Sequence, residues 1–172
     1  MKKGLVGLVG LSFVIILAAC NNGVANEEVQ DIKGMVRDYS NGSYNDVSAI
    51  ITSNELIVTD SENNKTTYDL PKDEFFVSIA PFVNRTHPCT NHSLTGCQGE
   101  LVEKDFDVFI QDEDGNVVVD ETMTSFENGF IDLWLPRDKK YQVKIEYNGK
   151  VAKSEISTFD GDNTCITTMQ LL

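Results

Sequence analysis

The sequence predicts an α+β fold in two parts: a small N-terminal domain of one helix and a few strands, then a β-sandwich-like C-terminal domain. Apolar residues recur at helical spacing over residues 27–39, which favours an amphipathic helix. From residue 100 onward, short apolar segments alternate with polar turns, a pattern typical of a sandwich. The predicted domains span residues 27–80 and 81–172.

The first 19 residues are typical of an export signal. Lys2 and Lys3 precede an apolar stretch that stops at Cys20 and is short for a membrane span. Residues 17–20, Leu-Ala-Ala-Cys, resemble a bacterial lipobox, after which Cys20 becomes the diacylated first residue of the mature protein. Residues 20–26 then form a lipidated tether, and the lipid anchors the protein to the outer face of the cell membrane. The alternative is an ordinary secretory signal that happens to contain a cysteine.

The N-terminal domain begins with the predicted helix, for which Asn26 is a candidate N-cap. A second short helical turn is predicted over residues 46–52. Strands follow, which we place at residues 55–59, 66–70 and 74–80. So few strands leave a sheet edge exposed, and such an edge suits a homodimer.

The C-terminal domain is predicted from alternation and from turn signals. Asn148-Gly149 is a strong two-residue hairpin signal, and Trp134 and Met169 are interpreted as packing residues. Predicted strands cover residues 106–110, 117–119, 130–135, 141–147, 151–158 and 165–171.

The chain is strongly acidic, which limits its partners. Its formal net charge is −13, and loss of the two signal lysines lowers it to −15. Nucleic-acid binding needs basic patches to neutralise phosphates, so nucleic acid is excluded as a partner. No later apolar run is long enough to cross a bilayer.

Three cysteines remain once Cys20 is assigned to lipid: Cys89, Cys97 and Cys165. An odd number in an exported protein leaves at least one thiol outside any intramolecular disulfide. The count is compatible with a three-thiolate metal site, with a redox-active pair and a third thiol, and with one structural disulfide beside a spare thiol.

A loop at residues 87–100 concentrates the reactive side chains. It holds Cys89, Cys97 and both histidines of the chain, His87 and His92. Thiolates are soft donors that select copper(I), zinc or iron–sulfur clusters, and the spacing of this loop matches neither a zinc ribbon nor a ferredoxin. The residues alone leave copper and zinc open. Either histidine is a candidate auxiliary ligand or a hydrogen-bonding residue of the loop.

Four blocks of the sequence together carry a resemblance to a known family. They are His87-Pro88-Cys89, residues 96–100 (Gly-Cys-Gln-Gly-Glu), residues 128–137 (Asn-Gly-Phe-Ile-Asp-Leu-Trp-Leu-Pro-Arg) and residues 164–171 (Thr-Cys-Ile-Thr-Thr-Met-Gln-Leu). These blocks closely resemble the CueP family of copper-binding, copper-resistance proteins of the bacterial periplasm and cell surface. The resemblance covers roughly residues 27–171.

This resemblance implies a copper site made by Cys89, Cys97 and Cys165, with zinc as a less favoured occupant. It also implies a protein that sequesters copper and passes it to an unidentified acceptor, that reduces copper(II) to copper(I), and that dimerises through its N-terminal domain. The main alternative is a thiol–disulfide oxidoreductase or isomerase that uses the same cysteines, although the chain has no C-x-x-C motif. A third interpretation is a structural surface domain with one disulfide.

Overall fold

The computed structural model describes residues 31–172; the predicted signal, Cys20 and the tether lie outside the described residues. Within this range the chain forms one helix and eleven strands. No helix in the described part is long and apolar enough to span a membrane. The elements are α1 (Ile32–Asn41), β1 (Ser48–Ile51), β2 (Glu55–Thr59), β3 (Lys65–Asp69), β4 (Glu74–Ile79), β5 (His92–Ser93), β6 (Asp105–Asp112), β7 (Val117–Thr124), β8 (Ile131–Pro136), β9 (Lys140–Tyr147), β10 (Lys150–Ser157) and β11 (Cys165–Ile166).

The predicted α+β class is wrong, because the described residues are mostly β with a single short helix. Helix α1 supplies only one strongly buried apolar residue, Val36, which is too little to form a helical layer of its own. The helical turn predicted over residues 46–52 is wrong as well. Strand β1 lies there, and its burial alternates, with Ala49 and Ile51 buried while Ser48 and Ile50 are exposed. That period of two is the signature of a strand.

Helix α1 has defined ends within the described residues. The Asp31 carboxylate accepts a hydrogen bond from the Gly34 N–H at 2.9 Å, which makes Asp31 the N-cap. At the other end the Gly42 N–H donates to the Asp38 carbonyl at 3.0 Å. The predicted helix is therefore present from Ile32, and its proposed cap at Asn26 lies outside the described residues.

The strands form three sheets. The N-terminal sheet has the order β3-β2-β1-β5, the middle sheet β11-β4-β8 and the C-terminal sheet β10-β9-β6-β7. Every pairing is antiparallel except that of β11 with β4, which is parallel. The eight strand segments predicted between residues 55 and 158 are all present, with ends shifted by a few residues.

The middle sheet is covered on both faces, which positions the site. Phe75, Val77 and Ile79 of β4 belong to a core shared with the C-terminal sheet. Phe76, between them in sequence, belongs to a second core with the N-terminal sheet and α1. A strand buried on both faces needs a continuous apolar run rather than alternation, and this explains the Phe-Phe-Val-Ser-Ile sequence of β4.

The predicted hairpin turn at Asn148-Gly149 is confirmed. Both residues have positive φ, 51° and 77°, as the two central positions of a type I′ turn require, and they join β9 to β10. The last strand is shorter than predicted, since β11 ends at Ile166 and only an isolated bridge between Phe82 and Gln170 follows. The domain boundary near residue 80 stays a prediction.

Candidate metal centre

Cys165 lies on the middle sheet, and the loop at residues 87–100 brings the other candidate ligands to it. Cys165 begins β11 and is paired with Ser78 of β4. His92 begins β5, which pairs with β1 through His92 and Ile51. The loop is thus attached to the N-terminal sheet, while Cys165 belongs to the middle sheet.

Four side chains meet there. One ligand atom each from Cys89, His92, Cys97 and Cys165 can be chosen such that all lie within 4.8 Å of one another. Cys89 and Cys165 form a disulfide, with Cα atoms 5.6 Å apart. The Sγ of Cys97 is 3.6 Å from the Sγ of Cys89, and Nδ1 of His92 is 3.4 Å from the Sγ of Cys165. Three sulfurs and one imidazole therefore converge on one point.

A tight turn directs Cys97 toward this cluster. The Ser93 carbonyl accepts hydrogen bonds from the N–H groups of Gly96 and Cys97, at 3.2 and 3.0 Å. A side chain at Gly96 would approach the Ser93 hydroxyl to 2.8 Å, which is closer than packed carbon atoms allow. Glycine therefore permits the turn.

The residues after Cys97 are held by two glycines in contact. A Cβ atom at Gly99 would lie 2.5 Å from the Gly129 carbonyl oxygen, and Gly129 itself has φ +77°, where glycine is favoured. The Gly99 N–H also donates to the Asn128 carbonyl at 2.7 Å. This contact seats the loop against the turn that precedes β8.

The Glu100 carboxylate fastens the chain on the other side of the cluster. It accepts hydrogen bonds from the N–H groups of Val83 and Asn84, at 2.6 and 2.9 Å. These bonds, chiefly that from Asn84, hold the pKa of Glu100 below its usual range. The Thr86 hydroxyl donates to the Thr167 carbonyl at 2.6 Å. Glu100 therefore ties the two ends of the segment bearing Cys89 and Cys97 to each other, and Thr86 ties it to the residue after β11.

His92 is held in an apolar setting. Its side chain has no exposed surface, and its ring lies 4.4 Å from the Phe130 ring, centroid to centroid. Burial, with a smaller contribution from His87, lowers the pKa of His92 to about 3. The imidazole is therefore neutral near neutral pH and has a lone pair to offer a metal.

The two sides of the imidazole differ. Nδ1 faces the sulfur of Cys165, whereas Nε2 is buried without any hydrogen-bond partner among the described residues. His87, the other candidate auxiliary ligand, is not a member of the four-residue cluster. Its ring packs edge-on against Phe130 at 6.3 Å between centroids.

The accessible ligands are Cys89 and Cys97, which are half-buried, while Cys165 and His92 are buried. Burial raises the pKa of the Cys97 thiol, so this thiol keeps its proton at neutral pH until a metal displaces it. Residues 86–99 contain no Asp, Glu, Lys or Arg. The segment that bears Cys89, His92 and Cys97 thus lacks acidic and strongly basic side chains in a strongly acidic chain.

The two residues interpreted as packing residues each contact an apolar core, but not the same one. Met169 is buried in the core between the middle and C-terminal sheets, and Trp134 packs against the N-terminal core. The three cysteines instead pack in a third core, with Ala80 and Phe130. Sequence reasoning missed Thr164, a buried residue that contacts the cluster; its position directly before Cys165 was the only available signal.

Two comparisons with known proteins give matches, both to the same family. A family model described as "Periplasmic copper-binding protein CueP" matches residues 17–170. A solved structure, described as the crystal structure of S.CueP, superposes with a TM-score of 0.79 at 39% sequence identity, covering 84% of this chain and 90% of that chain. No curated protein matches the chain.

Proposed function

Because the chain belongs to the CueP family of periplasmic copper-binding proteins, we propose that it holds copper(I) through Cys89, Cys97 and Cys165, with His92 as an auxiliary ligand. Binding of copper outside the cytoplasm is the property of the family. The ligand set is the proposal, and the single observation that carries it is the convergence of three sulfurs and one imidazole within 4.8 Å.

The donor set favours copper(I). Soft thiolates select copper(I) or zinc over magnesium and calcium. Three sulfurs with one nitrogen also match a structural zinc site, so zinc is the main competitor. Copper(I) tolerates a coordination number of three, and the family to which the chain belongs binds copper. Copper is therefore the proposed cargo, with zinc as the less favoured occupant.

The cysteine pairing supports reduction of copper(II) by the same site. The thiols of Cys89 and Cys165 give up two electrons and two protons and become a disulfide, while two copper(II) ions become copper(I). Cys97 keeps its thiol. The reaction is stoichiometric until an external thiol reductant regenerates the pair. The copper(I) then passes to an acceptor outside the cytoplasm.

A second candidate function has one observation in its favour. The sulfur of Cys97 lies 3.6 Å from Cys89, next to the disulfide with Cys165, as a thiol–disulfide oxidoreductase or isomerase requires for exchange. Against it, burial raises the pKa of Cys97 and leaves little of the reactive thiolate at neutral pH. Copper binding is therefore the better supported function.

Two further proposals concern the setting of the protein. Lipidation at Cys20 anchors it to the membrane, and a mature mass lacking acyl chains would contradict this. A homodimer forms through the N-terminal part, where β3 is an edge strand whose residues are mostly exposed. A monomeric mass by sedimentation of the lipid-free protein would contradict the dimer.

The decisive experiment is an anaerobic titration of the reduced, lipid-free protein with copper(I) against a competing chromophoric chelator, with free thiols counted before and after. We expect one tightly held copper per chain and protection of all three thiols. The same titration after oxidation of Cys89 and Cys165 should show weak binding, because two ligands are then withdrawn. Tight binding by the oxidised protein would refute the three-thiolate site.

The redox step has its own measurement. Addition of copper(II) to the reduced protein should form copper(I) and the Cys89–Cys165 disulfide, located by mass spectrometry, in a ratio of two to one. Turnover of a scrambled disulfide substrate at catalytic levels, with no tight copper, would instead favour the thiol–disulfide enzyme.

A further inference from the structure

Thr164 lies at the centre of the contacts that hold the site together. Its side chain has no exposed surface. Its hydroxyl donates to the Ile51 carbonyl at 2.7 Å and accepts from the His92 N–H at 3.0 Å. One hydroxyl thus connects the N-terminal sheet, the loop that bears His92 and the residue next to Cys165.

The main chain of Thr164 adds the remaining connections. The N–H groups of Thr164 and Cys165 both donate to the Thr90 carbonyl at 3.1 Å, and Thr90 directly follows Cys89. The Thr164 carbonyl accepts from the Ser78 N–H at 2.8 Å, which holds it to β4. The segments that bear Cys89, His92 and Cys165 therefore meet at this residue.

The imidazole of His92 lacks the support that metal-binding histidines normally have. Such a histidine usually donates its second ring N–H to a carboxylate or carbonyl, which fixes the orientation of the ring. Here Nε2 has no partner among the described residues. The ring is oriented by packing on Phe130 and Phe76, by the contact of Nδ1 with Cys165 and by its own backbone, whose N–H is held by the Thr164 hydroxyl.

We propose that Thr164 is a positioning residue whose hydroxyl sets His92 Nδ1 against the Cys165 sulfur and so prepares the site for metal. The proposal rests on the copper site proposed above. In this proposal the hydrogen bond from the His92 backbone N–H to the Thr164 hydroxyl fixes the orientation of the ring. In other metal sites a hydrogen bond from the second ring nitrogen does this. Loss of such outer contacts typically weakens metal binding by about 10- to 100-fold.

Thr164→Val is the direct test, because valine keeps the shape and removes the hydroxyl. We expect copper(I) affinity to fall by up to about tenfold, the lower end of the range for outer contacts, measured by competition with a chelator. The nitrogen contribution to the copper X-ray absorption spectrum should also diminish. Thr164→Ser restores the hydroxyl and should recover both properties.

Thr158 provides a matched control. It is equally buried, and its hydroxyl also donates to a carbonyl, that of Pro136 at 2.9 Å, and accepts from a backbone N–H, that of Lys139 at 3.2 Å. Its hydroxyl partners, Pro136 and Lys139, belong to β8 and to the segment that leads into β9, and neither bears a candidate ligand. Thr158→Val should lower the melting temperature in the same way and leave copper affinity unchanged. Equal losses of affinity in both valine variants would overturn the proposal, as would wild-type affinity and spectrum in Thr164→Val.

A metal-free measurement separates this proposal from the copper site itself. In the reduced protein the 15N chemical shift of His92 Nδ1 reports its contact with Cys165. It should move in Thr164→Val and not in Thr158→Val, and an unmoved shift would refute the positioning role. Absence of tight copper in the wild type would refute the proposed function alone. If Thr164→Val does not fold, Thr164→Ala must show the same changes.

Discussion

Two polar clusters lie on the same face of the middle sheet, and they are built on opposite principles. Asp132, Ser78 and Cys165 are paired side by side across β8, β4 and β11, so their side chains share a face. At one end, the Asp132 carboxylate accepts 2.5 Å hydrogen bonds from the Ser40 and Ser78 hydroxyls. At the other end, the metal cluster begins with Cys165.

The two clusters differ in how many of their polar atoms have strong hydrogen-bond partners. The two hydroxyls occupy both carboxylate oxygens of Asp132 and join α1 to the sheet. The metal cluster instead holds the Cys97 thiol and the Nδ1 nitrogen of His92, whose contacts are to sulfur atoms at 3.6 and 3.4 Å. Buried polar groups are normally paired. A saturated cluster therefore indicates a structural role, and an unsaturated cluster of soft donors indicates a ligand that completes it.

The largest expected effect comes from removal of the buried sulfur. Cys165→Ser should weaken copper(I) binding by more than about 100-fold, beyond the range typical of outer contacts, because a hard hydroxyl replaces a ligand that Nδ1 of His92 faces at 3.4 Å. Chelator competition measures the loss, and Cys89→Ser and Cys97→Ser should also lose affinity. If Cys165→Ser binds as tightly as the wild type, the contrast between the two clusters fails.

Substitution of Met169 tests the core between the middle and C-terminal sheets, on the side away from the two polar clusters. It is 1% exposed in the core shared with the C-terminal sheet, so Met169→Ala should lower the free energy of unfolding by about 2–5 kcal/mol. Denaturant unfolding measures this change, and copper affinity of the folded protein should not change. Loss of copper affinity with unchanged stability would make Met169 a ligand instead of a packing residue.

Asp132 gives a pH-dependent prediction. Burial raises the pKa of Asp132 to about 6, against the opposing effect of the Ser40 and Ser78 hydrogen bonds, from a reference value of 3.8. Between these values the folded protein keeps a proton that the unfolded chain releases, so this group makes stability fall as the pH rises. Asp132→Asn removes the effect. Relative to the wild type, the variant should gain about 3 kcal/mol between pH 4 and pH 7.

Asp112 is a control for Asp132, because its pKa is shifted in the opposite direction. The Lys139 side chain, which bonds to it at 2.8 Å, and hydrogen bonds from Asn116 lower the pKa of Asp112 to about 2. Its contribution to stability is present above the unfolded pKa and is lost as the pH falls toward 2. Asp112→Asn should therefore lose stability at neutral pH, where Asp132→Asn gains it. Parallel pH profiles for the two variants would contradict the assignment of a raised pKa to Asp132.

The two clusters also differ in what the sequence could predict. The candidate ligands could be predicted because three cysteines and a histidine-bearing loop are unusual in an acidic chain with an export signal. The partial burial of Asp132 could not be recognised, since in Ile131–Trp134 it occupies the alternating position that is normally solvated. The covering of the middle sheet on both faces removes part of this side chain from water.

The α+β class failed for a related reason. Local periodicity identified α1 and most strands. It does not show how the strands are grouped into sheets or how little of them one short helix covers, and the fold class depends on both. The parallel pairing of β11 with β4 involves two residue pairs that are far apart in the chain, and no local pattern predicts so short a contact. Thr164 escaped notice because its function depends on that pairing.

The smallest expected effect on copper(I) affinity comes from the two histidines, and it shows which of them belongs to the metal cluster. His92 belongs to the cluster and His87 does not, although both contact Phe130. His92→Gln should lower copper(I) affinity roughly tenfold, equivalent to about 1.4 kcal/mol, because a three-sulfur site persists without its nitrogen. His87→Gln, the matched control, should stay close to the wild type. Chelator competition on both reduced variants measures the difference, and an equal or larger loss for His87→Gln would move the auxiliary ligand from His92 to His87.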